Sequence, residues 1–116
     1  MPAIKITCSG KAETAVKEKL ALSVSKLVAK LMNKPEAYVQ ALVEDGAAIS
    51  FGGSVSVSSA FVVVRGIGGF SPEVNQNLSK AICEELSSAL GIPPERTYIN
   101  FESFKGSDWG WNSSTF

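Results

Sequence analysis

The sequence predicts an α+β fold in which duplicated β-α-β units form a four-stranded mixed sheet with two helices on one face. Two observations lead there. A strand, a long amphipathic helix, a Pro-Glu pair and a strand bearing a tyrosine occur in that order twice, with Pro35-Glu36 and Pro94-Glu95 about half a chain apart. Hydrophobic residues make up 45% and charged residues 19%, the balance of one globular core. A single domain over residues 1–116 is expected, with repeats over about 2–45 and 58–102 and a tail over 103–116.

Each element has its own signal. Pro2 to Cys8 alternates, with Ile4 and Ile6 on one side and Lys5 and Thr7 on the other, the period of a half-buried strand. Ser9-Gly10 breaks it. Val16, Leu20, Val24, Leu27, Val28 and Leu31 then recur at three- and four-residue steps, one stripe of a helix over 12–31. Pro35 forces that helix to end at or before Lys34. Tyr38 to Val43 reads as the second strand and Glu44-Asp45-Gly46 as a turn. Paired glycines in Phe51-Gly52-Gly53-Ser54 point to unusual backbone, and Ser56 to Ser59 to a loop or a strand entrance.

Ala60 to Val64 is continuously apolar, as in strands buried on both faces. Ser71 and Pro72 mark a helix start, Val74, Leu78, Ile82, Leu86 and Leu90 its apolar stripe, and Gly91 its end. Arg96 to Phe101 is the fourth strand, followed by a polar, aromatic tail. Two helices cover only one sheet face, so the other needs a cover. A second copy of the chain is the expected one.

Composition narrows the chemistry. There is no histidine, which excludes His-assisted nucleophiles and His-ligated metal, and no metal site is expected. Cys8 and Cys83 form no Cys-x-x-Cys pair and read as buried structural thiols. Eleven basic residues balance eleven acidic ones, so no nucleic-acid or anionic-membrane partner is expected, and the longest apolar run, Ala60 to Val64, is too short for membrane insertion. Gly66-Ile67-Gly68-Gly69 lacks the spacing of a dinucleotide fingerprint. No signal peptide or bilayer-length apolar run is visible, so a cytoplasmic protein is expected.

Pro2 carries the chemical interest. If Met1 is removed, Pro2 becomes an N-terminal secondary amine, and an α-amino group titrates near ~7.7–8. Modest desolvation leaves such a group neutral and able to accept and return a proton. The plainer reading makes Pro2 the start of an edge strand.

Several short motifs together resemble the macrophage migration inhibitory factor (MIF) family of the tautomerase superfamily over nearly the whole chain. They are Met1-Pro2, Lys34-Pro35-Glu36-x-Tyr38-Val39, Phe51-Gly52-Gly53-Ser54, Ile67-Gly68-Gly69, Arg96-x-Tyr98-Ile99-Asn100 and Gly110-Trp111-Asn112-x-Ser114-Thr115-Phe116. The resemblance implies the tautomerase fold, assembled as a homotrimer with active sites at subunit boundaries. It implies a cofactor-free keto–enol tautomerase for small aromatic α-keto acids such as phenylpyruvate, or for dopachrome-type compounds.

Residue by residue, the resemblance makes Pro2 the catalytic base. Lys34 and the Ile67 backbone become the carboxylate anchors, and Tyr98 and Asn100 the neighbouring subunit's contribution. Tyr38, Trp109 and Phe116 become the aromatic rim. Taken alone, Lys34 reads equally as a lysine at a helix C-terminus, Tyr98 as a strand aromatic and Asn100 as a solvated strand end. The Cys-x-x-Cys pair of some family members is replaced by Ser58-Ser59-Ala60-Phe61, so thiol–disulfide activity is not expected. The alternative function is a signalling protein, released by a non-classical route, that binds a cell-surface receptor.

Overall fold

The computed structural model describes all 116 residues. In chain order it forms β1 (Ala3–Cys8), α1 (Thr14–Met32), β2 (Gln40–Glu44), β3 (Ala60–Gly66), α2 (Pro72–Leu90) and β4 (Thr97–Ser103). The short β5 (Gly110–Trp111) and β6 (Ser114–Thr115) follow. The main sheet has the order β2-β1-β3-β4. β1 runs parallel to β2, and β3 parallel to β4, while β1 and β3 join the two units antiparallel. The fold is therefore the mixed sheet of two β-α-β units that the sequence predicts.

Both helices lie on one face and close the core there. Leu20, Val24 and Val28 of α1 and Leu78, Ile82 and Leu86 of α2 pack on Ile4, Ile6, Val62 and Val64, all of them buried. Their spacing puts them on one stripe of each helix, where burial yields roughly 1.5–3 kcal/mol per large aliphatic side chain. The Ser71 hydroxyl accepts from the Val74 N–H at 3.1 Å, Pro72 fills the first helical position, and Gly91 closes α2 at φ 66°. The helix α1 ends at Asn33, which takes φ 54°, and the Lys34 N–H then donates to the Ala29 carbonyl at 2.9 Å.

At the other end of α1, Glu13 supplies no side-chain cap. Asp45, just after β2, instead ties the segment that leads into the helix to its first turn. It accepts from the Ala12 N–H at 2.9 Å and pairs with Lys17 at 3.1 Å. The Ala12 hydrogen bond and Lys17 together hold its carboxyl below the usual carboxylate range.

The structure corrects the expected elements in two places. Tyr38 is not in a strand: Pro35 is followed by a single 3-10 turn, Glu36–Tyr38, and β2 begins two residues later. The same device at Pro94–Arg96 moves the start of β4 to Thr97. Within one chain β3 alternates: Ala60, Val62 and Val64 are buried under the helices, while Val63 is half-buried and Phe61 (41% exposed) and Arg65 stand on the face expected to meet another copy. The tail folds into the β5–β6 hairpin, with Asn112 and Ser113, at φ 52° and 63°, as its two-residue turn.

Two outcomes are expected from this packing. Ile82→Ala, which empties a fully buried site between helix and sheet, should lower unfolding free energy by about 2–5 kcal/mol in urea titration. Because the folded-state pKa of Asp45 is depressed, its contribution is present at neutral pH and is lost as pH falls through that folded value. The gap in urea midpoint between wild type and Asp45→Ala should therefore narrow steadily on acidification below the ordinary carboxylate range.

Candidate functional site

Pro2 immediately precedes β1, an interior strand, and its side chain is fully buried. The position suits proline, because the first residue of a strand needs no N–H for the ladder. Its carbonyl accepts from the Gln40 N–H at 3.1 Å, which ties the start of β1 to the start of β2. Pro2 and Met1 line a cavity of about 370 Å³ together with Tyr38, Trp109, Trp111 and Phe116.

The aromatic wall of this cavity comes from two distant stretches. Tyr38 is held by the 3-10 turn after Pro35, where its N–H donates to the Pro35 carbonyl at 3.2 Å. The β5–β6 hairpin brings Trp111 and Phe116 against it. Trp111 meets the Tyr38 ring edge-on at 5.4 Å between centroids and stacks on Phe116 at 5.3 Å with 14° between planes. Such pairs add about 0.5–1.5 kcal/mol beyond their buried area. Trp109 packs edge-on against Phe104 at 5.7 Å, and the Phe116 N–H donates to the Trp109 carbonyl at 3.2 Å. Gly106 permits this return, because a Cβ there would lie 3.0 Å from the Phe116 carbonyl oxygen.

Lys34 and Ile67 also come together: the Lys34 ammonium donates to the Ile67 carbonyl at 3.3 Å. Neither borders the aromatic cavity, but the lysine's charge reaches its amine end. Partial burial, and secondly the Lys34 charge, hold the Met1 α-amine below its ordinary value of 8.0. The electrostatic setting at the N-terminus therefore favours a neutral amine.

Tyr98 and Asn100 lie apart from this group. Both sit on β4, at the opposite edge of the sheet from β2, and point to the face without helices. Tyr98 is 62% exposed and packs on Phe51, with ring centroids 4.9 Å apart. Across that face the register sets Leu42, Lys5, Val63 and Asn100 in one row. Within one chain these two residues complete no cavity with Pro2.

Two contributors were missed by reading the sequence for a site. Trp111 does more to build the aromatic wall than Trp109, and its signal was the alternation Gly-Trp-Asn-Ser-Ser-Thr around a two-residue turn. Arg96 is the other. Its guanidinium donates to the carbonyls of Phe51 (3.3 Å), Ser54 (2.9 Å) and Ser58 (3.3 Å) and to the Ser59 hydroxyl (2.9 Å). One arginine thus clasps the loop that carries Phe51 against Tyr98. No group of three or more His, Cys, Asp or Glu residues is placed to hold a metal ion. No helix is long and apolar enough to cross a membrane.

The chain matches the family model described as macrophage migration inhibitory factor (MIF) over residues 1–116. A macrophage migration inhibitory factor homolog from Trichinella spiralis is 37% identical over 116 residues, covering 100% of both chains. Another, from Trichuris trichiura, is 42% identical over 94 residues, 81% of this chain and 82% of that protein. The crystal structure of a macrophage migration inhibitory factor-like protein from Entamoeba histolytica superposes with a TM-score of 0.93 at 30% identity, covering 99% of this chain and 98% of that one.

Proposed function

The chain belongs to the macrophage migration inhibitory factor family, and from that premise we propose that it is a cofactor-free keto–enol tautomerase of small aromatic α-keto acids. Phenylpyruvate is the substrate proposed first, with dopachrome-type compounds beside it. The observation that carries the reading is the burial of Pro2 in an aromatic-walled cavity whose amine end is desolvated and faces a lysine charge.

With Met1 removed, Pro2 presents a secondary amine subject to the same two influences. As a neutral base it takes the enol hydroxyl proton. The oxygen's electron pair then forms the carbonyl, and the carbon–carbon double bond takes a proton from the prolinium at the adjacent carbon. One proton leaves oxygen, one arrives at carbon, and the amine is restored. Lys34 and the Ile67 backbone hold the substrate carboxylate, while Tyr38, Trp109, Trp111 and Phe116 receive the aromatic ring.

Tyr98 and Asn100 enter this scheme from a neighbouring subunit of a homotrimer. Their place on the open sheet face, remote from their own chain's cavity, supports that assignment. A second reading, a signalling protein that binds a cell-surface receptor, rests on membership of this family and can coexist with catalysis.

The decisive experiment follows enol–keto conversion of phenylpyruvate after intact mass has confirmed loss of Met1. Pro2→Gly should lower kcat/KM by about 10²–10⁴ with the oligomer unchanged in sedimentation. An inactive, correctly processed wild type would sink the tautomerase reading, and a fully active Pro2→Gly protein would remove Pro2 as its base. Receptor binding that survives in an inactive Pro2→Gly protein would carry the second reading.

The pH dependence has a definite sign. Lys34→Ala removes a like charge, so the Pro2 amine should titrate closer to its ordinary value. The acidic limb of kcat/KM, which reports the free enzyme, should move to higher pH, and KM should rise. An unmoved limb would mean that Lys34 does not tune the amine.

A further inference from the structure

Ser103 ends β4 and has no part in the roles assigned above. We propose that it is a positioning residue of the carboxylate anchor, acting through Gly68 on the Ile67 peptide and on Lys34. The inference rests only on the part of the functional reading that gives Lys34 and Ile67 to a carboxylate.

The anchor stands on an unusually bare turn. Ile67 to Gly69 follows β3, and Gly68 and Gly69 take φ +66° and +86°. Glycine in such positions gives up the most backbone freedom on ordering, so the turn needs external ties. It has two. The Gly68 N–H donates to the Ser103 hydroxyl at 3.1 Å, and the Ile67 carbonyl accepts from Lys34 at 3.3 Å. The Ile67 N–H makes no hydrogen bond within the chain and is left as a free donor in the turn.

Ser103 is well placed to act as the fixed end of this arrangement. It is the register partner of Gly66 across the β3–β4 ladder, and the next N–H, of Phe104, donates to the Gly66 carbonyl at 2.8 Å. The sheet therefore sets the hydroxyl's position independently of the turn. On the other side the turn bears on the lysine stem. A Cβ built on Gly69 would lie 3.0 Å from Lys34 Cε and 3.2 Å from Met32 Cε. The turn and the end of the lysine stem are thus close neighbours, and the Lys34–Ile67 hydrogen bond links them directly. Because Ser103 is itself exposed, its hydrogen bond is worth a modest amount, and the expected effect is correspondingly modest.

The test measures binding rather than turnover, using the tryptophans of the cavity as fluorescent reporters in the Met1-processed full chain. The ligands are 3-phenylpropanoate and 3-phenylpropanol, which share a ring and differ in the carboxylate. Ser103→Ala should raise Kd for the carboxylate about three- to tenfold, and Ser103→Thr, which keeps the hydroxyl, should restore it to within about twofold. The alcohol should bind all three proteins alike. Equal carboxylate affinity in wild type and Ser103→Ala overturns the proposal, as does equal weakening for both ligands or no Ser103→Thr rescue. Absence of turnover with these affinities as expected would defeat the tautomerase reading and leave Ser103 in its role. Proline-dependent turnover with a flat Ser103 series would do the reverse.

Discussion

β1 lies between β2 and β3, and much of the molecule follows from that placement. Its alternation puts Ile4 and Ile6 under both helices, where they meet Val62 and Val64 across the antiparallel ladder. The parallel pairing on its other side brings Gln40 to the Pro2 carbonyl. A residue at the head of an interior strand is buried by its neighbours on both sides. Proline is well suited there, since it supplies apolar bulk and owes the ladder no donor. The antiparallel ladder to β3 joins the two β-α-β units, while the β2 side and the C-terminal tail surround the N-terminus.

The two faces of the sheet answer to different demands. Beneath the helices the side chains are aliphatic and closely packed. The opposite face mixes Leu42, Val63, Phe61 and Tyr98 with the ion pairs Lys5–Glu44 at 3.5 Å and Arg65–Glu102 at 3.2 Å. Both pairs are more than half exposed and contribute little to stability in water. A surface that is neither a dry core nor a fully solvated face suits contact with further protein. The residues assigned to a neighbouring subunit stand on it.

Around the cavity, short irregular segments do the positioning. Arg96 gathers three carbonyls and a hydroxyl from the Phe51–Ser59 stretch, a geometry that a planar guanidinium can meet and an ammonium cannot. The β5–β6 hairpin is only two residues deep on each side and would not stand alone in water. Its stability comes from Trp111 and Phe116 packing on Tyr38, so the cavity wall and the hairpin depend on one another.

The helices, the four main strands and their order of appearance were legible in the chain because each rests on local patterning. Stripes at three and four residues, alternation at two, Ser71-Pro72 and Gly91 all act within a few residues of themselves. Pro2 stood out for the same reason, as a chemical group in a definite position. What local patterning could not decide was everything that depends on residues far apart. The 3-10 turns at Glu36–Tyr38 and Pro94–Arg96 take two expected residues from β2 and one from β4, a choice made by where the sheet begins. Trp111 entered the cavity wall only because a hairpin folded the tail back onto Tyr38. The separation of Tyr98 and Asn100 from Pro2 follows from the order β2-β1-β3-β4, which puts β4 at the far edge of the sheet. Hydrophobic period fixes which side of a strand is buried, but only the packed sheet decides which strands are neighbours and hence which side chains can meet.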